Sequence, residues 1–184
     1  MTTKAKLLTA EDLLRLDSEG IHGELIRGEL YETMSAGRIH GKVAAIIISV
    51  LMAFVRPRRL GQVIGTDAGV LLERSPDTVR EPDVAFISAE KMSLDSEATG
   101  YYEGIPDLVV EVMSPNDSYR DMHDKARMWL SYGVPIVWVA DPDARSVYEH
   151  RIGLPVLTLD EDDTLDGGDV LPGFTCVVRD MFDL

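Results

Sequence analysis

The sequence is short of cysteine, of positive charge and of long apolar runs, and each shortage narrows what it can be. A single cysteine, Cys176, excludes an internal disulfide and a multi-cysteine zinc site. No apolar stretch approaches the ~20 residues of a membrane span. The opening MTTKAKLLTAEDLL turns polar and acidic too soon for a signal peptide. No membrane partner is expected, and a cytoplasmic location is the default. Lys and Arg number 18 against 32 Asp and Glu, a formal net charge of −14. That argues against a non-specific nucleic-acid coat protein. It does not exclude a nuclease, because a carboxylate site takes up a divalent metal before it accepts a phosphate. Part of the acidity is local. Asp160 to Asp169 (DEDDTLDGGD) holds six acidic residues, and it reads as a solvated loop whose spacing misses the calcium-loop pattern.

What is present suits a globular enzyme or binding module. The chain has 184 residues, 45% hydrophobic and 27% charged. That is enough for a full core in one domain, 1–184. Thr9 with Asp12 three residues later is a capping-box variant, opening a short helix through Leu16. ELIRGELYE (24–32) reads as a hairpin turning at Arg27-Gly28. Arg38 to Val55 carries Val43, Ile46, Ile47, Val50, Leu51 and Phe54 at helical spacing, and Pro57 is expected to stop it. Strands are expected at 61–66, 70–73 and 83–87, with a polar excursion over 88–104. The most apolar strand, Leu108 to Met113, should be central. A helix should follow, capped by Ser114, with Pro115 at its first position and Gly133 at its end. Further strands are expected at 136–140, 146–150 and 155–159. Strand, helix, strand over 108–140 is a βαβ unit, hence an α/β fold with a mixed sheet.

One residue is out of place in that pattern. Glu111 sits inside the apolar strand, where an unpaired carboxylate is expensive. Asp83 opens another apolar strand. If the two strands are neighbours, the carboxylates can converge, and a divalent cation stabilises that arrangement. Lys125 supplies a third group. Glu111 lies ~13 Å of strand before Pro115, and Lys125 lies ~15 Å of helix after it, so the lysine returns to the level of Glu111. It also flanks the inward stripe of Met122, Ala126 and Trp129. Two carboxylates, a metal and a lysine can hydrolyse a phosphodiester.

These residues resemble the PD-(D/E)XK nuclease superfamily, in which Asp comes from a Pro-Asp strand start and Glu and Lys from the next core strand. Glu-Pro-Asp-Val (81–84) and Glu111-Val112-Met113 match. Met113 stands where the lysine belongs, and Lys125 matches members whose lysine has moved to the following helix. GELIRGELYE, the His40-Gly41 helix start, REPDVAFI, PDLVVEVMSPNDS, the Asp121/Lys125/Trp129 series, VWVADP and LPGF together are similar to the Uma-two family, formerly domain of unknown function 820. The resemblance implies a restriction-endonuclease-like core, a mixed sheet flanked by helices with an N-terminal helix and hairpin. It implies an endonuclease acting on nucleic acid, with DNA the expected substrate. It implies Mg²⁺ (or Mn²⁺ in its place) on Asp83, Glu111 and the Val112 carbonyl, and a homodimer. Glu24 matches an N-terminal acidic residue that joins such sites, and Asp107 and His40 are candidates for an outer shell. Two alternatives stay open: a degenerate nuclease fold that binds DNA or a protein, and a hydrolase of small phosphoesters. Ser114 reads as a cap, Cys176 as packing, and His22, His123 and His150 as surface residues. Arg56, Arg58 and Arg59 are candidates for phosphate contact or a solvated helix end.

Overall fold

The computed structural model describes residues 7–33 and 37–183. Its elements in chain order are α1 (Ala10–Ser18), β1 (Gly23–Ile26), β2 (Glu29–Glu32), α2 (Arg38–Arg58), β3 (Gly61–Ile64), β4 (Val70–Glu73) and β5 (Thr78–Arg80). Then come β6 (Val84–Ser88), β7 (Tyr102–Glu103), β8 (Leu108–Val112), α3 (Tyr119–Ser131), β9 (Ile136–Asp141), β10 (Ser146–Arg151), β11 (Leu157–Leu159), β12 (Thr164–Asp166) and β13 (Thr175–Val177), with a closing 3₁₀ turn at Val178–Met181. The chain forms two compact units. The first takes residues 1–35, 67–81 and 97–104, and the second takes 36–66, 82–96 and 105–184.

In the first unit, α1 begins with the expected capping box: the Thr9 side chain accepts from the Asp12 backbone N–H, and the Asp12 carboxylate accepts from that of Thr9. The sheet order is β2-β1-β5-β4-β7. The β1–β2 turn uses Arg27 at φ 53 and Gly28 at φ 81, the left-handed pair that matches hairpin twist. Gly28 is also required sterically, since a Cβ there would meet the Leu7 Cβ at 2.7 Å. Ala10, Leu13, Leu25, Leu71 and Val79 form this unit's core. The excursion expected over 88–104 is irregular apart from two-residue β7, which pairs parallel with β4.

In the second unit, six strands run in the order β11-β10-β9-β8-β6-β3. β8 is central, parallel to β9 and antiparallel to β6, with α3 as the crossover. Its two faces serve different neighbours. Leu108, Val110 and Val112 join Val43, Ile47, Leu51 and Val55 of α2 in the main core. Glu111, on the other face, meets Trp129 of α3.

Four expectations are corrected here. Pro57 does not stop α2. The helix runs through it to Arg58 and ends at Arg59 in the left-handed region, φ 54. In the last turn proline removes one backbone hydrogen bond where the ladder is ending anyway. Ser114 does not cap α3. The cap is Ser118, whose side chain accepts from the Asp121 N–H, while Ser114 and Asp117 close a turn ahead of it. And α2, of 21 residues, is long and apolar enough by length and composition to cross a membrane, which the sequence reading denied to any segment. Val43, Ala44, Ile47, Leu51 and Val55 face the core of the unit, while Ile39 is exposed. The acidic loop at 160–169 likewise holds a strand: β12 pairs with β13 and buries Leu165.

Candidate active site

Pairing of β6 with β8 is what brings two carboxylates together. The register sets Val84 against Val110, Ala85 against Val109 and Phe86 against Leu108. One step further, Asp83 falls opposite Glu111. Opposed residues of an antiparallel pair have Cβ atoms ~5 Å apart. Asp83 is fixed from two directions. Its Oδ2 accepts from the Val112 N–H at 2.7 Å and lies 3.1 Å from His40 Nε2. Both contacts fall on Oδ2, which leaves Oδ1 for a further ligand. His40 sits in the first turn of α2, so that helix delivers the imidazole to Asp83. The contact with Asp83 raises the His40 pKa against the opposing effect of burial, and the charges of Glu111 and Asp117 add to it. The other ring nitrogen, Nδ1, is buried without a partner among the described residues.

Glu111 is 1% exposed. Oε1 accepts from Trp129 Nε1 at 2.7 Å, and Oε2 lies 2.9 Å from Lys125 Nζ. Burial raises its pKa and the Asp83 charge adds to that, while Lys125 and Trp129 favour the ionised form. Lys125 and Trp129 are four residues apart on α3, so one helix face carries both donors. The lysine therefore reaches Glu111 as expected, but from a helix that begins at Tyr119. The loop after β8 makes the return that the longer helix was expected to make.

The other candidates have different company. Glu24, in the first unit, accepts from the Glu81 N–H at 2.9 Å and lies 3.2 Å from Arg80 Nη2. Asp107 accepts from the Ser88 N–H at 2.8 Å and pairs with Lys91 at 2.7 Å, as a strand-end cap does. Met113, in the superfamily's lysine position, lines a cavity with His40, Asp117, Asp141 and Asp143.

Sequence reasoning missed several groups. Trp129 was read only as core, although a buried indole N–H usually finds an acceptor. Glu81, directly before Pro82, has its pKa raised to about 7, first by burial and then by Glu24. His123 and His150, expected at the surface, are 4% and 2% exposed. Their rings lie 4.6 Å apart, in a cluster with Tyr119 and Tyr148 between α3 and β10. Their Nε2 atoms have no partner among the described residues.

The donor set fits a hard cation. Two carboxylates and a neighbouring main-chain carbonyl are oxygen ligands, and Mg²⁺ binds through one or two carboxylates plus waters and substrate phosphate. No three or more His, Cys, Asp or Glu side chains among the described residues are placed to hold a metal ion by themselves, so an all-protein cage is not what this site offers.

No curated protein matches the sequence. Among solved structures, the fold is similar to a crystal structure described as "a putative nuclease belonging to DUF820 from Anabaena variabilis ATCC 29413". The TM-score is 0.80 at 19% identity, covering 95% of this chain and 97% of that one. This supports the restriction-endonuclease-like fold, a mixed sheet between helices. The family model Uma2, "Putative restriction endonuclease", matches residues 10–179, nearly the whole chain including Asp83, Glu111 and Lys125, and the protein therefore belongs to the Uma2 family.

Proposed function

We propose that this protein is a divalent-metal-dependent endonuclease that hydrolyses phosphodiester bonds of DNA. The observation that carries the reading is Glu111: a carboxylate 1% exposed, opposite Asp83 one step beyond the Val84–Val110 pair and held between Lys125 and Trp129. Family membership supports nuclease chemistry, and the oxygen donor set supports Mg²⁺, with Mn²⁺ as substitute. Asp83, Glu111 and the Val112 carbonyl would hold the ion. When bound, it polarises the scissile phosphate and lowers the pKa of a water.

The chain's own residues do the rest. The Val112 N–H and His40 hold Asp83 in one rotamer, and Trp129 does so for Glu111. Lys125, a quarter exposed, puts a mobile cation beside the buried carboxylate. There it orients the attacking water and opposes charge building on the phosphate. Glu24 serves as a supporting acid, and a homodimer is the form in which the enzyme works. These last assignments rest on the family resemblance.

Cleavage of plasmid, single-stranded and branched DNA across a Mg²⁺ titration tests the proposal. Wild type should cut, and Asp83→Ala and Glu111→Ala should lose at least about 100-fold, the scale of losing a transition-state electrostatic contact. Equal residual cleavage in all three proteins would sink it.

A second reading, a nuclease fold kept only for binding, draws on the same ion pair. Lys125 already neutralises Glu111, which a site without metal would need. Calorimetry separates the two: no heat with millimolar Mg²⁺ or Mn²⁺ favours the binding module.

A further inference from the structure

Helix α2 holds no acidic residue, in a chain of net charge −14. Its cations stand at its two ends. Arg38 and Lys42 occupy the first turns, Arg56 and Arg58 the last, and Arg59 follows. All five are exposed. Exposed positions Arg38, Lys42, Ala45, Ser49, Ala53 and Arg56 follow one another at steps of three or four residues, which makes them one helix face. Only small side chains lie between the charged ends. Eighteen residues of rise separate Arg38 from Arg56, or ~27 Å.

Elsewhere among the described residues most basic side chains are spoken for, the exposed Arg27 being an exception. Arg74, Arg80, Lys91, Arg145 and Arg151 each hold a carboxylate, and Arg38, Arg56, Arg58 and Arg59 make no ion pair among the described residues. Arg58 instead donates to the Phe54 carbonyl at 3.1 Å and lies 4.0 Å over its ring, which braces the guanidinium. Asp183 is a carboxylate close enough to Lys42 to feel its charge. The Arg145 guanidinium, and more weakly Lys42, hold its carboxyl below the usual range, and Arg145 grips both of its oxygens.

The occupant must be anionic and long. A second copy would bring the same cations, Arg38, Lys42 and Arg56, against this face. A nucleic-acid strand carries one charge per ~3.4 Å, so a single backbone reaches both ends. His40 contacts Asp83, so the N-terminal end of α2 is the end nearer the candidate site, with the imidazole on the buried side of the helix and Arg38 and Lys42 on the exposed side.

We propose that the exposed face of α2 is a sequence-independent track for a nucleic-acid backbone. Arg38 and Lys42 guide a phosphodiester toward Asp83 and Glu111, and Arg56, Arg58 and Arg59 anchor the flank. The guiding role rests on the nuclease reading; the binding role does not.

The test is anisotropy of a labelled duplex of about 30 base pairs in metal-free buffer, as a function of salt. It runs beside hydrolysis of bis(4-nitrophenyl) phosphate in Mn²⁺. The triple variant Arg56→Ala/Arg58→Ala/Arg59→Ala should bind at least about 10-fold more weakly, with its log–log salt slope reduced by about 2 to 3. Its hydrolysis of the small diester should not change. Arg38→Ala/Arg56→Ala, which removes no recorded hydrogen bond and so threatens folding less, should lose about 2 in slope. Arg15→Ala/Arg120→Ala, exposed cations with carboxylate partners, should change nothing. Unchanged affinity and slope in both α2 variants would overturn the proposal. So would unchanged duplex binding with weakened binding to phosphatidylserine vesicles, or with a fall in molar mass by light scattering. A wild type that binds duplex through α2 yet leaves the small diester intact would refute the catalytic reading and leave the track standing.

Discussion

Replacing Glu111 by alanine removes the acceptor of Trp129 Nε1 and the ion-pair partner seen for Lys125 Nζ. Removing one partner of a buried pair costs about 3–5 kcal/mol. Lys125 can turn to solvent, so the lower end of that range is expected in urea unfolding. Glu111→Gln keeps an acceptor for Trp129 and should cost less. Both should abolish cleavage, and an active Glu111→Gln would remove Glu111 from the chemistry. The buried histidines set a separate, pH-dependent expectation. Burial pushes His150 down to about 4, with His123 beside it as the next cause, and burial also lowers His123. A depressed folded pKa means that the fold favours neutral imidazole. That stability is present above the ordinary 6.5 and is lost as pH falls through that value toward 4. His150→Phe should flatten the acid limb of Tm against pH in this window. A limb of unchanged steepness would assign it to other groups.

At the scale of elements, α3 is the part on which the site's geometry depends, since it carries Lys125 and Trp129 together. Ser118→Ala removes its cap and should cost about 1 kcal/mol, with Ser114→Ala closer to neutral. The reverse order in thermal unfolding would place the helix start at Ser114. That pair also shows what the sequence could and could not tell. Ser114-x-x-Asp117 and Ser118-x-x-Asp121 are the same signal four residues apart, and Pro115 favoured the wrong one. The turn that Ser114 and Asp117 form is itself a local alternative to helix. The hairpin, the central strand and the pairing of Lys125 with Glu111 were legible because alternation and helical spacing act locally. The contact of His40 with Asp83 was not, since it spans 43 residues of chain and follows from how α2 packs on the sheet. Nor were the partners of Glu24, which come from a strand more than fifty residues away.

At the scale of the molecule, neither compact unit is a continuous stretch of chain. The backbone leaves and re-enters each one, so neither can be cut out whole. Residues 1–184 are expected to unfold as one domain, in a single calorimetric transition with equal calorimetric and van't Hoff enthalpies. Two resolved transitions would make the units independent. Whole-molecule charge bears on function in the same way. A chain at −14 repels DNA at long range, so activity should depend on metal at the site and on the cations of α2, and should fall steeply with salt.

The most direct test is crystallographic: anomalous diffraction from crystals of the protein soaked in Mn²⁺. A peak within coordination distance of the Asp83 and Glu111 carboxylates and the Val112 carbonyl is the predicted result. Strong Mn²⁺ peaks elsewhere, with no density between Asp83 and Glu111 and Lys125 still on Glu111, would contradict it.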